Sequence, residues 1–128
     1  MSLLLDTHAL LWWFYGDPRL SETARLAIAD EDNTVLVSAA SAWEIATKSR
    51  IGKLPNAREL AENLAFHLRT QQFDHLPITL DHAQQAGLLE SSHRDPFDRM
   101  LIAQSLAENL ILVSNETLFD QFKVRRLW

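Results

Sequence analysis

Four acidic side chains stand directly after apolar runs or one helical turn beyond them. They are Asp6 in Leu4-Leu5-Asp6-Thr7-His8, Glu44 in Ala42-Trp43-Glu44-Ile45, Asp98 in Asp95-Pro96-Phe97-Asp98-Arg99, and Glu116 in Val113-Ser114-Asn115-Glu116. Taken singly, each has a structural explanation. Asp6 and Thr7 suit a helix N-cap. Glu44 has Lys48 four residues on, an ordinary surface pair. Asp98 lies three residues after a natural cap, Asp95, from where an acid can reach back to the cap amide. Ser114 or Asn115 can cap a turn that carries Glu116. Taken together, the four have a chemical explanation. Two carboxylates at about 5 Å repel by roughly 3 kcal/mol at an effective dielectric near 20, and a divalent cation removes that cost. An all-oxygen set without His or Cys suits Mg²⁺ or Mn²⁺ rather than zinc.

Whether these acids meet depends on the elements that carry them. Leu3-Leu4-Leu5 reads as a short strand, followed by a helix from Thr7 to about Tyr15 and a break at Gly16-Asp17-Pro18. Ser21 opens a helix over Glu22 to Ala29, and Thr34 to Val37 is a β-branched strand. A helix follows from about Ala40 to Arg50, stopped by Gly52. Asn56 is expected to cap one continuous helix to about Thr70, with Leu60, Leu64 and Leu68 spaced four apart. His75 to Thr79 reads as a strand and Asp81 as the start of a helix to about Leu89. Asp95-Pro96 opens a helix ending near Asn109. Leu110 to Val113 is a buried-type strand, Thr117 to Gln121 a helical turn, and Val124 to Leu127 an edge strand. Strands alternating with helices imply βαβ units and a mainly parallel sheet of four to five strands, covered on both faces. Ligands of such sheets bind at the carboxyl ends of the strands. All four acids are expected on that edge.

Bulk properties narrow the function. At 128 residues and 47% hydrophobic, the chain is one domain by length and can bury a core unaided. It has no cysteine, which removes disulfides, thiolate metal sites and thiol nucleophiles. Met1 to Tyr15 is apolar but carries Asp6 and His8 and no basic flank, so it reads as neither signal peptide nor membrane span. A cytoplasmic location is expected. The net charge of −5 argues against a nucleic-acid binder with a broad basic surface. A nuclease escapes that objection only where its acids hold cations.

The same segments resemble a known family. Leu4-Leu5-Asp6-Thr7-His8-Ala9-Leu10-Leu11-Trp12 resembles the opening of PIN domains of the VapC class. Ser38 to Ile45, continuing through Lys48, Gly52 and Leu54, resembles their second block, and His93 to Gln104 followed by Leu112-Val113-Ser114 the third. Order and spacing hold over essentially the whole chain. The resemblance implies a single PIN-like domain over residues 1–128, a three-layer α/β/α fold in which Asp6, Glu44 and Asp98 correspond to the acidic metal-binding residues. The family often places a fourth acid, usually Asp, where Glu116 stands; the extra methylene is a departure. Thr7 and Ser114 are expected to hydrogen-bond the ligands or their water.

By the same resemblance, the expected activity is that of an endoribonuclease toxin dependent on Mg²⁺ or Mn²⁺, acting on RNA, forming a homodimer and inhibited by a cognate antitoxin. Arg94, Arg99, Lys48 and Lys53 are candidates to meet RNA phosphates, against the default of solvated charges. Trp12 to Tyr15 reads as core or interface packing, and His8, His67, His75, His82 and His93 as structural or exposed. Two rivals remain. A phosphatase with an Asp nucleophile also begins with an apolar strand ending in Asp, but would carry a second Asp where His8 stands. A metal-free PIN-like module that binds RNA or protein is the non-enzyme alternative.

Overall fold

A computed structural model describes residues 1–128. Five strands form one sheet: β1 (Ser2–Leu5), β2 (Thr34–Ser38), β3 (Asp74–Leu76), β4 (Ile111–Val113) and β5 (Arg125–Leu127). Their order is β3-β2-β1-β4-β5 and every pairing is parallel. The chain winds outward from β1 to β3 on one side, then crosses back to place β4 and β5 on the other. The strand order therefore reverses beside β1, the place where such sheets open a crevice.

Leu3, Leu4 and Leu5 are fully buried. Leu3 and Leu5 join the larger apolar cluster with Leu10, Val35, Val37 and Ile45, whereas Leu4 joins the other with Leu101, Ile102, Leu112 and Phe119. Alternation along the strand thus feeds two cores, one on each face. Burying each leucine stabilises the fold by about 1.5–3 kcal/mol.

The helices are α1 (Thr7–Tyr15), α2 (Glu22–Ala29), α3 (Ala39–Arg50), α4 (Arg58–Glu62), α5 (Leu64–Thr70), α6 (Leu80–Leu88) and α7 (Pro96–Ala107). A 3₁₀ turn covers Thr117–Phe122. Gly16 ends α1 with φ +60°, and its N–H reaches back to the carbonyls of Trp12 and Trp13. A side chain there would strain the left-handed cap.

Three expected boundaries are corrected. The helix expected from Asn56 to Thr70 is two helices that meet at Asn63, whose backbone leaves helical geometry (φ −127°, ψ 29°) while its N–H and its side-chain amide both donate to the Glu59 carbonyl, at 3.1 and 3.2 Å. Asn56 does not cap it; its carbonyl accepts from the Tyr15 hydroxyl at 3.0 Å. The third strand is Asp74–Leu76, ending where Pro77 removes a backbone donor. The next helix is capped by Thr79 rather than begun at Asp81: the Thr79 hydroxyl accepts from His82 N–H, and His82 Nδ1 accepts from Thr79 N–H, each at 3.1 Å.

Candidate active site

Asp6 sits at the switch point. Its own N–H extends the sheet by donating to the Val113 carbonyl at 3.0 Å, and its side chain caps α1 by accepting from Ala9 N–H at 2.8 Å. The capping role and the cleft role are therefore filled by one residue. Asp6 is only 5% exposed. Burial pushes its carboxyl up to about 6, with Asp98 adding repulsion; the Ser114 hydroxyl, the Ala9 amide and His8 oppose the rise.

Glu44 lies on the second turn of α3. Ser38 ends β2 and caps that helix by accepting from Ala40 N–H at 3.0 Å. The same hydroxyl donates to Gln104 Oε1 at 2.5 Å, tying α3 to α7. Glu44 is buried, not on a solvated face. Its Oε1 accepts from the Thr7 hydroxyl at 2.5 Å, and its Oε2 pairs with Lys48. Thr7 thus holds Glu44 in place.

Asp98 lies in the first turn of α7 but does not cap it. Asp95 does, accepting from the amides of Phe97 and Asp98 at 2.9 and 3.2 Å, with Pro96 behind it. Freed from capping, the Asp98 carboxylate accepts from His93 Nε2 at 3.0 Å. Burial raises its pKa, His93 opposes the rise, and the charges of Asp95 and Glu44 add to it. Asp6 senses Asp98 and Asp98 senses Glu44. The three carboxyl groups therefore share one electrostatic neighbourhood.

Glu116 stands apart. It is exposed and its carboxylate makes no hydrogen bond; its backbone alone is engaged, the N–H donating to the Ser114 hydroxyl at 3.0 Å and the carbonyl accepting from Phe119 N–H at 3.2 Å. Ser114 itself is fully buried.

Two features were not legible in the residue pattern. His93 contacts an acid of the cleft, a role its spacing did not announce. Arg99 is neither a phosphate contact nor a solvated charge: its guanidinium donates to the carbonyls of Ala86, Gly87, Leu89, Ser91 and His93, at 2.7 to 3.4 Å. It thereby caps the end of α6 and fixes the loop that presents His93. The sequence signal was available in hindsight, since an Arg just inside a helix faces the end of the preceding one when the two pack antiparallel. His8, where a phosphatase of the rival type would need its second Asp, is exposed and stacks on Trp12 at 5.5 Å between ring centroids.

The donor set fits a hard divalent ion in chemistry and charge. Burial holds the Asp6 and Asp98 carboxyls neutral more readily than usual, which a bound cation would reverse, and no thiolate or imidazole set competes. The side chains as placed do not converge: no three His, Cys, Asp or Glu groups are close enough to hold a metal. Lys48 and His93 occupy oxygens of Glu44 and Asp98 instead.

The fold is a three-layer α/β/α protein with acidic residues at the carboxyl edge of a parallel sheet. Residues 3–124 match the family described as PIN domain, and the chain belongs to that family. It is 33% identical over 119 residues to "Ribonuclease VapC22" of Mycobacterium tuberculosis, covering 90% of this chain and 87% of that protein. It is 40% identical over 73 residues to "Ribonuclease VapC16" of the same organism, a match spanning 54% of this chain and half of that protein's length. In fold it is similar to VapBC2 from Rickettsia felis, solved bound to a DNA fragment from their promoter, with TM-score 0.73, 16% identity, and coverage of 98% and 97% of the two chains.

Proposed function

We propose that this protein is a metal-dependent endoribonuclease, the toxin of a toxin–antitoxin pair, and that residues 1–128 act as one catalytic domain. The observation that carries the reading is the placement of Asp6, Glu44 and Asp98 from three distant segments at one edge of the sheet, with Thr7, next to Asp6, bonded to Glu44 at 2.5 Å and the cap of α3 tied to Gln104 on α7, the helix of Asp98. Family membership and the ribonuclease names of its relatives support it.

Asp6, Glu44 and Asp98 would hold Mg²⁺ or Mn²⁺, with Glu116 contributing through water. Such an ion, when bound, offsets charge on the phosphate and makes nearby water more acidic. The chain's own part is to position and to exclude. Asp6 is anchored by sheet and cap, Thr7 orients Glu44, and Ser114 steadies Asp6. Attack by water on phosphorus breaks the P–O3′ bond, with the proton passing to O3′, which leaves a 3′-hydroxyl and a 5′-phosphate. No protein nucleophile is needed. The net charge of −5 is then no obstacle, because the acids that would repel RNA are neutralised where it binds.

The partners follow from the same reading: RNA as substrate, a cognate antitoxin, and a second copy of the chain. Trp43, Ile78 and Phe97 line one apolar hollow, and Leu80 and Leu88 on α6 are strongly exposed, which supports a homodimer. No helix is long and apolar enough to cross a membrane, and we place the reaction in the cytoplasm.

The test is cleavage of a panel of structured RNAs with Mg²⁺, Mn²⁺ or EDTA, comparing wild type with Asp6→Ala and Asp98→Asn. Cleavage only with metal, lost in both variants, is expected. Cleavage that survives EDTA overturns the mechanism. A second reading, a metal-free binding module, draws on the side chains already bonded to Glu44 and Asp98, Lys48 and His93; absence of Mn²⁺ uptake by calorimetry would select it.

A further inference from the structure

We infer that Lys48 is a built-in competitor for the divalent cation: its ammonium holds the Glu44 oxygen that a metal would take, and so sets the affinity of the cleft for metal. The inference rests on the metal-dependent reading above. Glu44 has both carboxylate oxygens engaged by side chains, Oε1 by Thr7 at 2.5 Å and Oε2 by Lys48. Asp98, by contrast, is bonded through Oδ2 alone. A metal approaching Glu44 therefore meets oxygens that already carry a hydroxyl proton or an ammonium, and at Oε2 it must share the carboxylate with a positive charge. The hydroxyl is buried and also contacts Ser41 at 3.2 Å, whereas the Lys48 side chain is about one-third exposed (32%). The ammonium is the partner free to leave.

The base of the Lys48 side chain is fixed. Its carbonyl accepts from Lys53 and Leu54 N–H at 2.9 and 3.2 Å, closing the end of α3. The side chain thus reaches Glu44 from a set position rather than by chance. The energetics favour exchange over coexistence. A buried carboxylate without a counter-charge is costly, so Lys48 stays until another cation arrives. Two cations on one carboxylate repel, so the incoming ion works against the ammonium as it binds.

The experiment is calorimetric titration of MnCl₂ into wild type, Lys48→Met, Lys48→Gln, Lys48→Arg and Arg58→Met, at one pH and ionic strength, each variant checked for folding by circular dichroism. Removing the competitor in Lys48→Met and Lys48→Gln is expected to tighten Mn²⁺ binding by about tenfold or more. Lys48→Arg is expected to stay near wild type, and Arg58→Met, which breaks a solvent-exposed pair with the same spacing, to leave affinity unchanged. Should wild type bind Mn²⁺ while the folded Met and Gln variants bind equally or more weakly, Lys48 merely orients Glu44 and the inference is overturned. Failure of wild type to take up Mn²⁺ at all is a different result, and removes the metal-dependent reading itself.

Discussion

Glu44 and Glu62 each pair with a base one helical turn away, on neighbouring helices. In the sequence the two pairs look alike. On α3 the Glu44 side chain is 9% exposed and Lys48 closes over it; on α4 the Glu62 side chain is 59% exposed and Arg58 lies wholly in solvent. The difference comes from where each helix begins. The cap of α3 is Ser38, the last residue of a central strand, hydrogen-bonded across to Gln104 on α7. Its second turn is therefore held over the carboxyl edge of the sheet. By contrast, α4 is five residues long with no side-chain cap. An identical spacing is thus a site in one place and a solvated surface in the other. Glu116 sits on the solvated side of the same divide, at the β4 end of the sheet.

Variants that break this contrast should differ by orders of magnitude. Asp98→Asn and Asp6→Ala are expected to lower RNA cleavage in Mn²⁺ by about a thousandfold or more, because each removes charge that positions the cation. Arg99→Gln comes next. It leaves five carbonyls without their donor and frees the loop carrying His93, at an expected cost of about 2–4 kcal/mol in urea denaturation.

Asp6 sharpens the comparison through pH. Its folded value of about 6 lies above the ordinary 3.8, so the folded protein retains a proton that the unfolded chain has released between these values. Stability from this group is full below about pH 4 and is lost as pH rises through about 6, by up to ~3 kcal/mol. Denaturation in EDTA at pH 5 and pH 7.5 should show about half of that fall, roughly 1.4 kcal/mol, in wild type and not in Asp6→Asn, which keeps the cap oxygen. Glu116→Gln should reduce cleavage by less than about tenfold, far short of Asp98→Asn; equal losses would show that Glu116 works as closely as the buried acids. The smallest effect belongs to Arg58→Ala, whose melting temperature should match wild type.

Most of the fold was legible because its signals are local. Glu22–Ala29 and Thr7–Tyr15 carry their caps at Ser21, Asp6 and Gly16, and the structure keeps those bounds. The acids of the cleft were legible for a related reason: a parallel sheet sends every strand end to one edge. What was not legible was decided by side chains meeting across distance. Asn63 doubles its bonds to the Glu59 carbonyl where two helices meet, His82 supplies the second half of a capping box, and Arg99 is consumed by carbonyls. Glu44 shows the limit most clearly, since what distinguishes it from an ordinary surface acid are partners remote in sequence, the Thr7 hydroxyl on its Oε1 and the tie between Ser38 and Gln104.

The hydrogen bond from Asp6 to Val113 has a temporal meaning. It joins the first strand to one made near the end of synthesis, with the whole crossover in between. Contacts this remote in sequence form late and are slow to close. While the chain is still emerging from the ribosome, the first strand has no β4 beside it and α7 has not yet brought Asp98 across. On the proposed mechanism, a nascent chain has not yet assembled its acids amid the RNA that surrounds its own translation, and does so only once its last segments are free to fold.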